Sequence, residues 1–255
     1  MQTIILNKLA DIAAEHDVRL FFACESGSRG WSFPSPDSDY DVRFIYVRPM
    51  NAYLSVAGCD DQMCFDIKDE LDFLGWDIRK VLRLILNSNI TPFEWLQSPV
   101  IYMQKAGFKE ELWALCEQFF SRRSHIHHYL GIARSALLTA SDNNEITIKK
   151  LFYVLRPLLA AKWCVEKNGI APMSINPLMS LMPERLQQIT ANLIACKAEA
   201  PEGYIVTIEP ELKQFIDREF EANTRALTDI PKVSFNVEPL DAFFRKIIST
   251  KVDYS

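Results

Sequence analysis

The chain has 255 residues, 49% of them hydrophobic, and a formal net charge of −5. That content can bury one large core or two smaller ones and is too apolar for a disordered protein. The acidic balance excludes a protein that holds nucleic acid by being basic throughout. It leaves room for a confined basic groove, built from Arg122 and Arg123 with the nearby histidines, or from Lys149, Lys150 and Arg156.

No run approaches the roughly 18 apolar residues of a membrane helix. The start MQTIILNKLADIAAEHD carries acids where a secretion signal would have its cleavage site, so a soluble cytosolic protein is expected. The six cysteines are scattered, with no Cys-x-x-Cys pair, and are read as reduced thiols packed in the core. His125, His127 and His128 cluster without a cysteine beside them, so no structural metal is expected.

Ile4, Ile5, Leu9, Ile12 and Ala13 fall at helical spacing and predict an amphipathic helix over 3–16. Val18 to Cys24 is a short apolar strand stopped by Glu25-Ser26-Gly27-Ser28-Arg29-Gly30. Residues 32–38 contain two prolines and are irregular; Tyr40 to Val47 is a second, β-branched and aromatic strand. The segment 60–74 supplies one or two further strands, Glu70 to Leu74 being the better candidate, and the sheet is expected to end about there.

From Asp77, placed as a helix cap, the period becomes helical. Helices are expected at 108–119, 124–140, 146–167, 184–199, 208–227 and 238–249, with no comparable strand pattern returning. Strands in the first third and helices after it indicate an α+β fold. The expected division is a catalytic domain over 1–105 and a helical domain over 106–255.

The chemistry concentrates in FFACESGSRGWSFPSPDSDYDVRFIYV. An apolar strand delivers Gly27-Ser28, where a glycine lets backbone N–H groups approach an anion and the hydroxyl adds a donor. Eleven positions after Ser28 come Asp39 and then Asp41, which as strand residues two apart share a face. Paired carboxylates repel unless a cation lies between them, and hard divalent ions take oxygen ligands and keep substrate phosphate in their shell. The turn and the pair therefore suggest one phosphate and metal site. The chain lacks the Lys-Ser/Thr end of a P-loop and has no Gly-x-Ser-x-Gly elbow.

Gly27-Ser28 followed by Asp39-Tyr40-Asp41 resembles the nucleotidyltransferase signature of the DNA polymerase beta superfamily. A closer resemblance is to bacterial and phage nucleotidyltransferases of the RNA repair pathway DNA polymerase beta family. It is carried by residues 27–31 and 38–43, by Gly75 to Lys80, Glu94 to Pro99, His128 to Leu130 and Lys149 to Pro157. It covers roughly residues 18–175.

The resemblance implies a mixed catalytic sheet with helices and a third carboxylate on a later strand. Asp72 matches best there, with Asp66, Glu70 and Asp77 as rivals. It further implies that Asp39, Asp41 and Asp72 hold Mg²⁺ or Mn²⁺, and that a nucleoside triphosphate donates a nucleoside monophosphate to an acceptor hydroxyl, RNA being the expected acceptor. Gly27 and Ser28 would bind the outer phosphates.

Arg29 and Arg43 would contact phosphate or form ion pairs that hold the turn. Trp31 and Trp76 would stack on a base or fill the core. Lys149, Tyr153 and Arg156 fall at i, i+4 and i+7 of one helix, a face suited to triphosphate or RNA, or simply a solvated one. His128 and Arg134 are read as structural. Transfer to a protein or small molecule, and a non-catalytic nucleotide- or RNA-binding module, are the alternative readings.

Overall fold

The computed structural model describes residues 1–68, 70–139 and 144–250. In chain order, its first part runs α1 (Gln2–Glu15), β1 (Arg19–Glu25), the single turn α2 (Gly27–Gly30), β2 (Tyr40–Val47), α3 (Met50–Tyr53), β3 (Gln62–Cys64), β4 (Leu71–Asp77), α4 (Ile78–Leu86), α5 (Ile90–Leu96), β5 (Ile101–Gln104) and α6 (Phe108–Gln118). There follow α7 (Arg122–Leu137), β6 (Glu145–Thr147), α8 (Ile148–Lys167), α9 (Ile175–Met179), α10 (Glu184–Glu199), β7 (Ile205–Thr207), α11 (Pro210–Asp229) and α12 (Glu238–Ser249). The fold is α+β. Of the expected elements, Asp69 in the 60–74 segment, Ala140 at the end of the 124–140 helix and residues 141–143 and 251–255 of the helical region lie outside the described residues.

The chain forms two compact units: Met1–Gly27 with Asp39–Phe119 and the segment from Ser234, and Ser28–Ser38 with Phe120–Val233. They interleave along the chain, whereas the sequence pattern suggests a consecutive 1–105 and 106–255. Aromatic packing accounts for part of the difference. Phe108 of α6 lies 5.2 Å from Phe21 of β1 and 6.0 Å from Phe243 of α12, measured between ring centroids, so α6 and α12 join the sheet.

In the first unit the five-stranded sheet has the order β3-β4-β2-β1-β5. β2 and β4 pair in parallel, and the other pairs are antiparallel. Period-2 alternation sends Val42, Phe44 and Tyr46 of β2 to one face, where they meet Ile5, Leu9 and Ile12 of α1. Each such aliphatic side chain contributes about 1.5–3 kcal/mol by leaving water. Gly75 of β4 stands opposite Phe44, and a side chain there would collide with the Phe44 ring. On the other face, the half-buried Trp76 of β4 stacks on the buried Trp95 of α5 at 4.2 Å. Asp77 caps α4 by accepting from the Arg79 N–H at 2.8 Å, as its position predicts.

The sheet does not end near residue 74, and strands do return after it. Ile101–Gln104 adds an edge strand to β1, and β6 pairs with β7. These strands have only three or four residues, too few for a period to show, and the neighbouring strand decides their conformation. Cys59 and Cys64 are exposed, contrary to the expectation of core thiols, while Cys24, Cys116 and Cys164 are buried. Burial pushes all three buried thiols above the usual range, so they are poor nucleophiles.

The second unit is organised by α8, whose Leu151, Phe152, Leu155 and Leu158 are fully buried. Thr147 caps its start, and Asn168 ends it in the left-handed conformation. Arg122 donates to the Val165 carbonyl at 2.6 Å and Arg123 to the Ile230 carbonyl at 2.8 Å. These two cations satisfy backbone carbonyls at the ends of α8 and α11. No described helix is long and apolar enough to cross a membrane.

His125 of α7 is fully buried, its ring edge-on to Phe120 at 4.8 Å. Burial lowers its pKa to about 3, with the nearby charge of His128 adding to the effect. The unfolded chain, with an imidazole pKa near 6.5, therefore binds the proton that the folded chain refuses. This contribution to stability is fully present above that value and is lost as pH falls toward 3, with a slope of at most about 1.4 kcal/mol per pH unit. A His125→Phe variant keeps the aromatic packing and loses this slope. Denaturant melts of parent and variant between pH 7 and 5 should diverge, with the parent losing stability faster.

Candidate active site

The site is built on the ends of three strands. β1 leaves the sheet at Glu25, which is 1% exposed. Its carboxylate accepts from the backbone N–H of Asp41 at 2.8 Å and from the hydroxyl of Tyr102 on β5. Ser98 donates to the Glu25 carbonyl at 2.6 Å, which gives the Glu94 to Pro99 segment a structural part in the site. Glu25 thus braces β2 from beneath. Sequence reasoning treated it only as the end of a strand; the available signal was a carboxylate directly after an apolar run, in a strand buried on both faces.

Gly27 follows at φ +55°, a conformation that favours glycine. The Asp41 carboxylate lies directly against it, with Oδ2 nearest, and a Cβ on Gly27 would penetrate that carboxylate. The Ser26 N–H donates to the Asp41 carbonyl at 2.9 Å, tying the turn to β2. The expected Gly-Ser turn is a single helical turn, α2.

Parallel pairing sets Asp41 of β2 directly beside Asp72 of β4. One atom, Arg43 Nη2, lies 2.5 Å from Asp41 Oδ1 and 2.7 Å from Asp72 Oδ2, and Arg43 Nη1 donates to the Asp72 carbonyl at 3.0 Å. Arg43 follows Asp41 by two residues and so shares its face. The structure therefore brings Asp41, Arg43 and Asp72 together. Asp39 precedes β2 and is half-buried. Among the described residues, no group of three or more His, Cys, Asp or Glu side chains is arranged to hold a metal ion. Two carboxylates converging on one cationic atom are nevertheless a donor set of the kind a hard divalent ion takes.

The remaining predicted residues belong to the second unit. Ser28 donates to the Ser38 hydroxyl at 2.9 Å, and Arg29 donates to the Ser38 carbonyl at 2.9 Å. Ser38 donates to Glu202, also at 2.9 Å, and Lys149 pairs with the same carboxylate. Tyr153 meets the Trp31 ring edge-on at 5.2 Å. Arg156 is 3% exposed: it lies over the Trp31 ring at 4.7 Å and donates to the Met173 carbonyl at 2.7 Å. Lys149, Tyr153 and Arg156 thus do not form a solvated face, because Arg156 is spent inside the unit. Lys197, which sequence reading passed over, is buried and donates to Ser35 at 2.7 Å.

An α+β protein with register-paired aspartates beside a glycine-initiated turn, at the end of a mixed sheet, is the class that fold and site define. The chain belongs to the RNA repair pathway DNA polymerase beta family, whose model matches residues 1–246. It is similar to the uncharacterized protein YcgL of Bacillus subtilis (strain 168), with 38% identity over 234 residues, 90% of this chain and 89% of that protein.

The contact between Gly27 and the Asp41 carboxylate sets a stability expectation. Gly27→Ala forces a Cβ into that carboxylate at a positive φ, and should lower unfolding free energy by roughly 1–3 kcal/mol in a denaturant melt.

Proposed function

We propose that the chain is a metal-dependent nucleotidyltransferase, moving a nucleoside monophosphate from a nucleoside triphosphate to an RNA hydroxyl. The observation that carries this reading is the pairing of Asp41 with Asp72, two carboxylates converging on one cationic atom beside Gly27. Membership of a family described by RNA repair and DNA polymerase beta supports the reaction class and the acceptor. The three carboxylates of this reading, Asp39, Asp41 and Asp72, all belong to the first unit and fall within the expected catalytic region of 1–105.

Each residue then has a task. Asp39, Asp41 and Asp72 would hold Mg²⁺ or Mn²⁺, which supplies charge neutralisation on the phosphates and a lowered pKa for the attacking hydroxyl. Gly27 presents its backbone without a side chain in the way, and Ser28 offers a hydroxyl to the outer phosphates. Arg43, in the same unit as the carboxylates, supplies positive charge toward the triphosphate, and Arg29, Lys149 and Tyr153 of the second unit are the further candidate nucleotide contacts. Arg156 acts through Trp31, which it holds in place. Glu25 is a positioning residue, since its bond to the Asp41 N–H fixes where that carboxylate stands. The acceptor hydroxyl gives up its proton to solvent as its oxygen bonds to the α-phosphorus, and the bond to the pyrophosphate oxygen breaks so that pyrophosphate leaves.

The test is incubation with each α-labelled nucleoside triphosphate, Mg²⁺ or Mn²⁺, and a pool of RNAs including cleaved tRNA. Label should move to RNA with the parent, and the Asp39→Ala, Asp41→Ala double variant should lose at least about 100-fold of that transfer. Label on protein instead would overturn RNA as acceptor, and no transfer to any acceptor would overturn the enzyme reading.

A further inference from the structure

We propose that Arg43 is the resident counter-cation of the Asp41–Asp72 pair, exchanged for a divalent metal ion when a polyphosphate substrate enters. This rests on the proposed nucleotidyltransferase reading of the same site. It assigns Arg43 a role that phosphate binding alone does not contain: the side chain competes with the metal before it helps the substrate.

The geometry requires competition. Arg43 Nη2 is the atom on which both carboxylates converge, at 2.5 Å and 2.7 Å. Asp41 Oδ1 meets Arg43, while Oδ2 lies against Gly27. A divalent ion bridging the two aspartates needs oxygen distances of about 2.0–2.1 Å, closer than the guanidinium now stands. An ion bridging Asp41 Oδ1 and Asp72 Oδ2 would take the place of Arg43 Nη2, so the two cations compete for these oxygens.

Charge explains why the exchange is coupled to substrate. A guanidinium stays protonated in proteins, so Arg43 cannot leave by losing its charge. Its side chain is 13% exposed, so leaving the carboxylates without a new anion strands a largely desolvated cation. A phosphate group is the matching receiver, since the planar fork of arginine binds its oxygens in a bidentate way. The carboxylates pass from guanidinium to metal while the guanidinium passes from carboxylate to phosphate. Metal alone must then bind weakly, because it displaces Arg43 with nothing to receive it.

The experiment is a titration of the full chain with Mn²⁺ alone, without nucleotide, reading free ion by its electron paramagnetic resonance. Arg43→Gln should bind Mn²⁺ about tenfold more tightly than the parent, or better. The gain should vanish in an Arg43→Gln, Asp72→Asn double variant. Should Arg43→Gln not fold, Arg43→Lys must still bind more tightly than the parent, because a single ammonium lacks the planar fork whose two nitrogens reach the carboxylates and the Asp72 carbonyl at once. Equal or weaker Mn²⁺ binding by the Arg43 variants overturns the exchange and leaves the metal site standing. Absence of Mn²⁺ binding in every variant at millimolar ion overturns the metal reading itself, and the exchange with it.

Discussion

Parallel pairing of β2 with β4 sets two aspartates side by side, and like charges at that spacing require a cation between them. The cation comes from the same strand: Arg43, two residues beyond Asp41, reaches both carboxylates and the backbone of Asp72. The opposite face of β2 is equally constrained, since Val42, Phe44 and Tyr46 are fully buried against α1 and its surroundings. A one-residue slip of this strand would drive Asp41 and Arg43 into that apolar layer and bring its core residues out. The hydrophobic core thus sets the register, and the register sets the site.

Around this centre the polar groups are arranged to hold backbone in place. Glu25 is buried yet satisfied, accepting from the Asp41 N–H and from Tyr102, while Ser98 secures its carbonyl. A buried carboxylate without such partners would be costly, so these hydrogen bonds and the burial come as a set. In the second unit the Ser28–Ser38 loop is held in the same manner: Ser38 joins Ser28, Ser35 and Glu202, and Lys197 reaches Ser35 from a fully buried position. Two prolines and a positive φ at Ser32 keep this loop from regular structure, and side-chain hydrogen bonds take the place of a backbone ladder.

Much of this was legible in the letters. Period-3.6 patterns located α1, α4, α6, α8, α10, α11 and α12 to within about two residues, the usual uncertainty of helix ends, and alternation located β2 at its observed ends. Gly27, Asp41 and Asp72 could be singled out because a turn glycine and strand carboxylates are chemically conspicuous. β5, β6 and β7 could not, since strands of three or four residues carry no period. Nor could the burial of Arg156: on a helical wheel it shares a face with Lys149 and Tyr153, and only the Trp31 ring and the Met173 carbonyl reveal that this face is enclosed.

The sequence by itself determined the class of fold, the family and the presence of an acidic, glycine-flanked centre, because these follow from local periodicity and from residue types at short spacing. Tertiary structure decided which carboxylates meet. Asp41 and Asp72 are thirty-one residues apart and become neighbours only through a parallel strand pairing that no local pattern encodes. It also decided that Arg43 lies between them, that Glu25 is the buried brace, and that Ser28 to Ser38 packs with the helical unit, because each of these rests on contacts between distant segments.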